Sequence, residues 1–126
     1  MGYIAHDAVI AVVDDWDEET LGAIDALADE MPEAVRPFLV GPVVGTNGYH
    51  SWAFLPDGSK EGWPASDEGA LWRDRFAEVA KGQLRTFEDE SWYRADVVHI
   101  RFGGDHGSEV GTTIVSTTDV RQAVAS

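Results

Sequence analysis

The fold class this chain predicts is α+β, two helices laid over one face of an antiparallel sheet, and three observations predict it. Asn47-Gly48 separates two runs able to form strands, Val40–Thr46 and Tyr49–Leu55; a tight hairpin needs positive φ at its turn, which Asn and Gly tolerate best. Pro42 lacks the N–H a ladder requires, so the first of these strands belongs at a sheet edge. Helix and strand periodicities then alternate along the chain in the order βαββαβ, followed by one more strand.

The first strand is Ala8–Val13, AVIAVV, an unbroken apolar run that fits a strand covered on both faces or placed mid-sheet. It ends at Asp14-Asp15. A helix opens at Trp16-Asp17-Glu18-Glu19, where carboxylates suit the positive end of the helix dipole and Asp15 or Asp17 can cap it. Leu21, Ile24, Leu27, Ala28 and Met31 recur at helical spacing and form its core stripe, and Pro32 stops or kinks it. A two-residue hairpin loop sets Thr46 opposite Tyr49, Val44 opposite Ser51 and Pro42 opposite Ala53. Val43, Trp52 and Phe54 then share a face with Gly41 and Gly45.

Ser66 or Asp67 caps a second helix that runs to about Lys81 and stops at Gly82, with Leu71, Trp72, Phe76, Val79 and Ala80 as its buried stripe. Residues 83–94 fit either an extension of that helix or a loop ordered by Phe87, Trp92 and Tyr93. Ala95–Phe102 alternates, with Val98, Ile100 and Phe102 on one face and Val97, His99 and Arg101 on the other. The loop GGDHGSE leads to the last strand, Val110–Thr117. The whole matches the ferredoxin-like split-βαβ plan with an added C-terminal strand, in spatial order 5-4-1-3-2. One domain spans residues 1–118, and 119–126 is a frayed tail.

Charge narrows the function classes. The 126 residues carry 23 acidic and 9 basic side chains, a formal net charge of −14, which repels nucleic acid and anionic membrane surfaces. Residues 1–35 hold ten carboxylates and no Lys or Arg. Within that block Glu18, Asp25, Asp29 and Glu33 form an exposed acidic ridge able to imitate backbone phosphates, although solubility alone explains such a block. Cysteine is absent, so disulfides, thiolate metal sites and thiol nucleophiles are excluded. No apolar run is long enough to span a membrane, and Met1–Val13 does not read as a signal peptide; the expected location is the cytoplasm.

Motifs for chemistry are sparse. Val12-Val13-Asp14-Asp15 has the look of a receiver domain's first strand, with Asp57 as phosphoacceptor, but receiver strands are all parallel and an Asn-Gly hairpin cannot join them. His99, Asp105 and His106, with His6 or His50, are ligand types without ligand spacing, so neither a metal nor a cofactor is expected. No P-loop, GxSxG or GxGxxG is present, and the expectation is a protein that is not an enzyme. The five tryptophans exceed what a core this size needs; Trp72 and one of Trp52 or Trp16 are its natural buried members. The sheet face away from the helices is then the candidate binding surface, lined by Tyr49, His50, Trp52, His99 and Arg101, for a partner protein or a second copy of the chain. Whether Trp52 and Phe54 point to that face or under the helices stays open. A competing reading is a small dimeric enzyme or ligand-binding domain with His50 or His99 as acid–base group.

The segments MGYIAHDAVI, NGY, FLPDGSKEGW and RFGGDHGSE together resemble small proteins encoded by actinobacteriophages, mycobacteriophages above all. The resemblance implies an accessory protein, not a virion enzyme, expressed in the cytoplasm of an infected actinobacterium; with the missing catalytic signature, the aromatic surplus and the lopsided charge, the expected function is binding a host protein. The resemblance carries no assigned catalytic residues.

Overall fold

The computed structural model describes residues 6–59, 62–102 and 112–117, residues 112–116 by their backbone alone. Its elements are β1 (His6–Val13), α1 (Glu18–Glu30), β2 (Leu39–Val44), β3 (His50–Phe54), α2 (Pro64–Lys81), β4 (Leu84–Phe87), β5 (Glu90–Tyr93), β6 (Asp96–Phe102) and β7 (Thr112–Ser116). Five strands form one sheet in the order β2-β3-β1-β6-β7, every pair antiparallel, and β4 pairs with β5 in a separate ribbon. The apolar first strand is central, and the strand holding Pro42 is an edge.

The core lies on one side of this sheet. Val9, Ala11 and Val13 of β1, Trp52 and Phe54 of β3 and Val97 of β6 pack there against Ile24 and Leu27 of α1 and Trp72, Phe76 and Ala80 of α2. Register explains the grouping, since Ala11 pairs with Trp52 on one side and Val97 on the other, and directly opposed residues share a face. Trp52 and Phe54 therefore point under the helices. Phe54 meets Phe76 edge-on, with ring centroids 5.9 Å apart. Of the tryptophans, Trp52 and Trp72 are buried while Trp16 and Trp63 are exposed.

Both helices start and stop for local reasons. Asp17 caps α1, accepting the Thr20 amide at 3.2 Å and the Thr20 hydroxyl at 2.7 Å. Ile24, Leu27 and Met31 of the expected stripe are buried, and Leu21 and Ala28 pack against them half-buried. Helix α2 begins earlier than Ser66 or Asp67, at Pro64, because proline suits the first helical position, where no N–H partner is needed. It ends at Gly82, in the left-handed region at φ 70, whose amide returns to the Val79 carbonyl. Its buried side keeps Trp72, Phe76 and Ala80 of the expected stripe but carries Arg73 in place of Leu71, which is exposed.

Three expectations are corrected by the strands. The hairpin loop has three residues, not two: Gly45 donates to the Tyr49 carbonyl at 2.9 Å, and Thr46, Asn47 and Gly48 lie between. Asn47 (φ 62) and Gly48 (φ 76) take the positive φ that their types favour. The pairs become Val44 with His50 and Val43 with Ser51, so Val43 leaves the Trp52 face. A bulge then sets Gly41 and Pro42 against Trp52 alone and brings Val40 opposite Ala53. Second, Val97 and His99 of β6 are buried beneath α2, and Val98, Ile100 and Phe102 take the other face. Third, residues 83–94 are neither helix nor loop but the β4–β5 hairpin, turning at Glu88 and Asp89. The Gly-rich loop with Asp105 and His106, and the expected tail 119–126, lie outside the described residues.

Candidate functional site

Over β2, β3, β1 and β6 the face of the sheet turned away from the helices is mostly apolar. One row of paired residues reads Val40, Ala53, Ile10, Val98, and the adjoining positions are Val43, Ser51, Val12 and Asp96 on one side and Ala8 and Ile100 on the other. Ile10 is 47 % exposed, Val40 46 % and Val43 62 %. At the β1 start, the His6 ring lies against Phe102, with centroids 5.8 Å apart. Contiguous exposed aliphatic side chains on a small domain mark an association surface far more often than scattered single ones do. Asp96 is the one carboxylate in these rows.

Few of the residues expected on this face are there. Tyr49 is exposed at the hairpin tip. His50 faces the helix side, where its Nε2 lies 3.1 Å from Asp15 Oδ1. Trp52 and His99 are buried on that side too, and Arg101 donates from Nε to Asp7, its cross-strand partner, at 3.0 Å. The alternation of β6 was legible, but its more apolar half, Val98, Ile100 and Phe102, faces outward. The run AVIAVV held the usable signal: six apolar residues supply two faces, and only one of them meets helices.

A second locus is ionic and buried, between α2, the start of β1 and the loop after β3. Arg73 is nearly enclosed; its Nη2 donates to the Leu55 carbonyl at 2.6 Å, its guanidinium carbon lies 5.1 Å from the Phe54 ring centroid, and Asp57 Oδ2 is 3.8 Å away. Burial pushes the guanidinium down from its ordinary value, opposed by Asp57 and Asp7. Burial raises the Asp57 carboxyl, but the Ser59 hydroxyl (2.6 Å) and amide (2.9 Å) that donate to it, with Arg73 beside it, hold it below the ordinary carboxylate value. Gly69 makes the approach possible, because a Cβ there would stand 2.7 Å from both Arg73 Nη1 and Asp57 Oδ2. A glycine inside a helical pattern is the one sequence sign of this site.

His99 adjoins this cluster at 3 % exposure, and neither ring nitrogen has a hydrogen-bond partner among the described residues. Asp74 Oδ1 is 3.7 Å from Nδ1, too far to accept, and stands out in solvent. Burial pushes the imidazole below its ordinary value, outweighing Asp7 and Asp74, so it is neutral at neutral pH. The cleft beside Arg73, lined by Asp7, Asp57, Ser59 and Ser66 among others, holds about 20 Å³, the room of one water. The cluster pins the 55–59 loop to α2.

The acidic ridge is exposed throughout: Glu18, Asp25 and Asp29 on α1, and Glu33 in the turn beyond Pro32. Among the described residues no group of three or more His, Asp or Glu side chains could hold a metal ion, and no helix is long and apolar enough to cross a membrane. Comparison with known protein families, curated proteins and solved structures finds no match.

Proposed function

We propose that this chain is a non-enzymatic interaction protein, an actinobacteriophage accessory factor of ferredoxin-like fold that binds a host protein through the open face of its sheet. The observation that carries the reading is the aliphatic row Val40, Ala53, Ile10 and Val98, its Val40 and Ile10 exposed and its Ala53 and Val98 half-buried, on a chain of net charge −14 that places only the carboxylate of Asp96 among those rows. Such a surface suits an apolar partner patch. The connectivity βαββαβ, the central first strand and the edge second strand support the ferredoxin-like assignment. The phage context rests on the sequence resemblance, and an actinobacterial cytoplasm follows from it. An enzymatic reading finds less support, because His50 is tied to Asp15 and His99 is enclosed where the adjacent cleft admits one water.

Tagged protein incubated with actinobacterial lysate should retain a defined partner, identified by mass spectrometry. Ile10→Asp, checked for folding by circular dichroism, should lose it, whereas reversing Asp25 and Asp29 to Lys should not. Loss on the charge reversal instead would move the epitope to α1 and favour mimicry of nucleic acid. Wild-type binding by Ile10→Asp, or release of a homodimer by that variant with no host protein retained, would remove the host-protein reading.

A further inference from the structure

The helical layer carries a groove of its own. Helices α1 and α2 lie side by side, and between them is an open trough of about 390 Å³ floored by Leu27, Leu71 and Val79. Leu71 is 47 % exposed although it belongs to an amphipathic helix whose other large apolar residues are mostly covered. The rim is acidic: Glu30 from α1, Asp74 and Glu78 from α2, the last two with side chains 67 % exposed. Arg75 is the cation among the lining residues, and its guanidinium lies over the Trp72 ring, 4.9 Å from the centroid. Lys81 reaches Glu78 at 2.8 Å from the next turn, while the Asp74 carboxylate stands 3.7 Å from His99 Nδ1. Helix α1 carries five carboxylates in all, Glu30 included, and no Lys or Arg.

We propose that this groove is a docking site for a basic amphipathic helix of a partner protein, separate from the sheet face. Leu71, Asp74/Arg75 and Glu78 follow one another at i, i+3/i+4 and i+7, so floor and rim run along α2 for about 10 Å, two turns of a docked helix. An apolar trough of that length is read by side chains at the same spacing on the incoming helix. Charge selects the occupant. The apolar stripe must be flanked by Lys or Arg to meet Glu30, Asp74 and Glu78, and a second copy of this chain would bring its own acidic helices against them. Nucleic acid is turned away by the same field.

The test is fluorescence anisotropy with a labelled 18-residue Leu/Lys peptide whose leucines fall on one helical face, against a peptide of the same composition with leucines dispersed. The amphipathic peptide should bind the full chain at least tenfold more tightly than its scramble. Leu71→Asp, and Asp74→Lys with Glu78→Lys, should each weaken it about tenfold, and Ile10→Asp on the sheet face should leave it unchanged. Leu71→Ala, which keeps the helix intact, should give a smaller loss and guards against misfolding. Equal affinity for the scramble would mean charge attraction alone and would overturn the proposal. So would unchanged binding by the Leu71 variants, loss on Ile10→Asp, or light scattering showing that Leu71→Asp converts a dimer of this chain to a monomer.

Discussion

At Gly41 the backbone runs at φ 125, and a Cβ there would stand 2.7 Å from the Ser51 carbonyl oxygen and 2.9 Å from Trp52 Cδ1. Only glycine lets the bulge of β2 close over the Trp52 ring. Gly41→Ala should therefore cost about 2–4 kcal/mol in urea denaturation, from strain and overpacking together. His99 sets a pH dependence. Its folded pKa lies below the ordinary 6.5, so under about pH 6.5 the unfolded chain binds the proton more readily, and stability falls as pH drops toward the folded value. Urea midpoints should drop between pH 7.5 and 5.5, and His99→Gln should flatten that slope. The Asp57 carboxyl, held below 3.8, contributes stability that is lost only in stronger acid, outside this window. Neither role was legible in the residue itself. A glycine in a strand and an alternating histidine become decisive only through what packs against them.

At the scale of elements, β1, the Asn-Gly hairpin, α1, α2 and β6 were readable because each carries a periodicity or a punctuation mark with a local cause. The β4–β5 hairpin was not. Its turn is Glu88-Asp89, and Glu88 adopts φ 57, a conformation that glycine and asparagine accept more readily. The ribbon is held by ladder pairs from Leu84 with Tyr93 to Phe87 with Glu90, with the Thr86 and Ser91 hydroxyls 3.1 Å apart across it. Glu88→Gly should relieve the strain and raise stability by about 0.5–1 kcal/mol, read as an increase in the urea midpoint. In α1 the buried Asp17 cap serves two groups of Thr20, so Asp17→Ala should cost about 1–2 kcal/mol by the same measurement.

Across the whole molecule, 23 carboxylates act against 9 bases, and α1 presents its acids to solvent with no cation on the same helix. Self-repulsion of this kind is screened by salt. Raising NaCl from 0.05 to 0.5 M should lift Tm by roughly 4 °C, equivalent to about 1 kcal/mol for a domain of this size. A fall in Tm would show that the ion pairs Arg73–Asp57 and Arg101–Asp7 outweigh the repulsion. Charge, length and the order of elements could be counted along the chain, and they bounded the class of protein. Which surfaces face outward could not be counted. Periodicity of two splits a strand into two sides without saying which meets the helices, so β6 turned its more apolar side, Val98, Ile100 and Phe102, away from them and buried His99. The chain's own pattern thus established an antiparallel sheet with a central apolar strand, a proline-marked edge and two amphipathic helices, because those follow from backbone conformation and local spacing. The identity of the open face, the ionic cluster around Arg73 and the acidic groove between α1 and α2 came only from packing, because each joins residues far apart in sequence whose meeting depends on register and helix rotation.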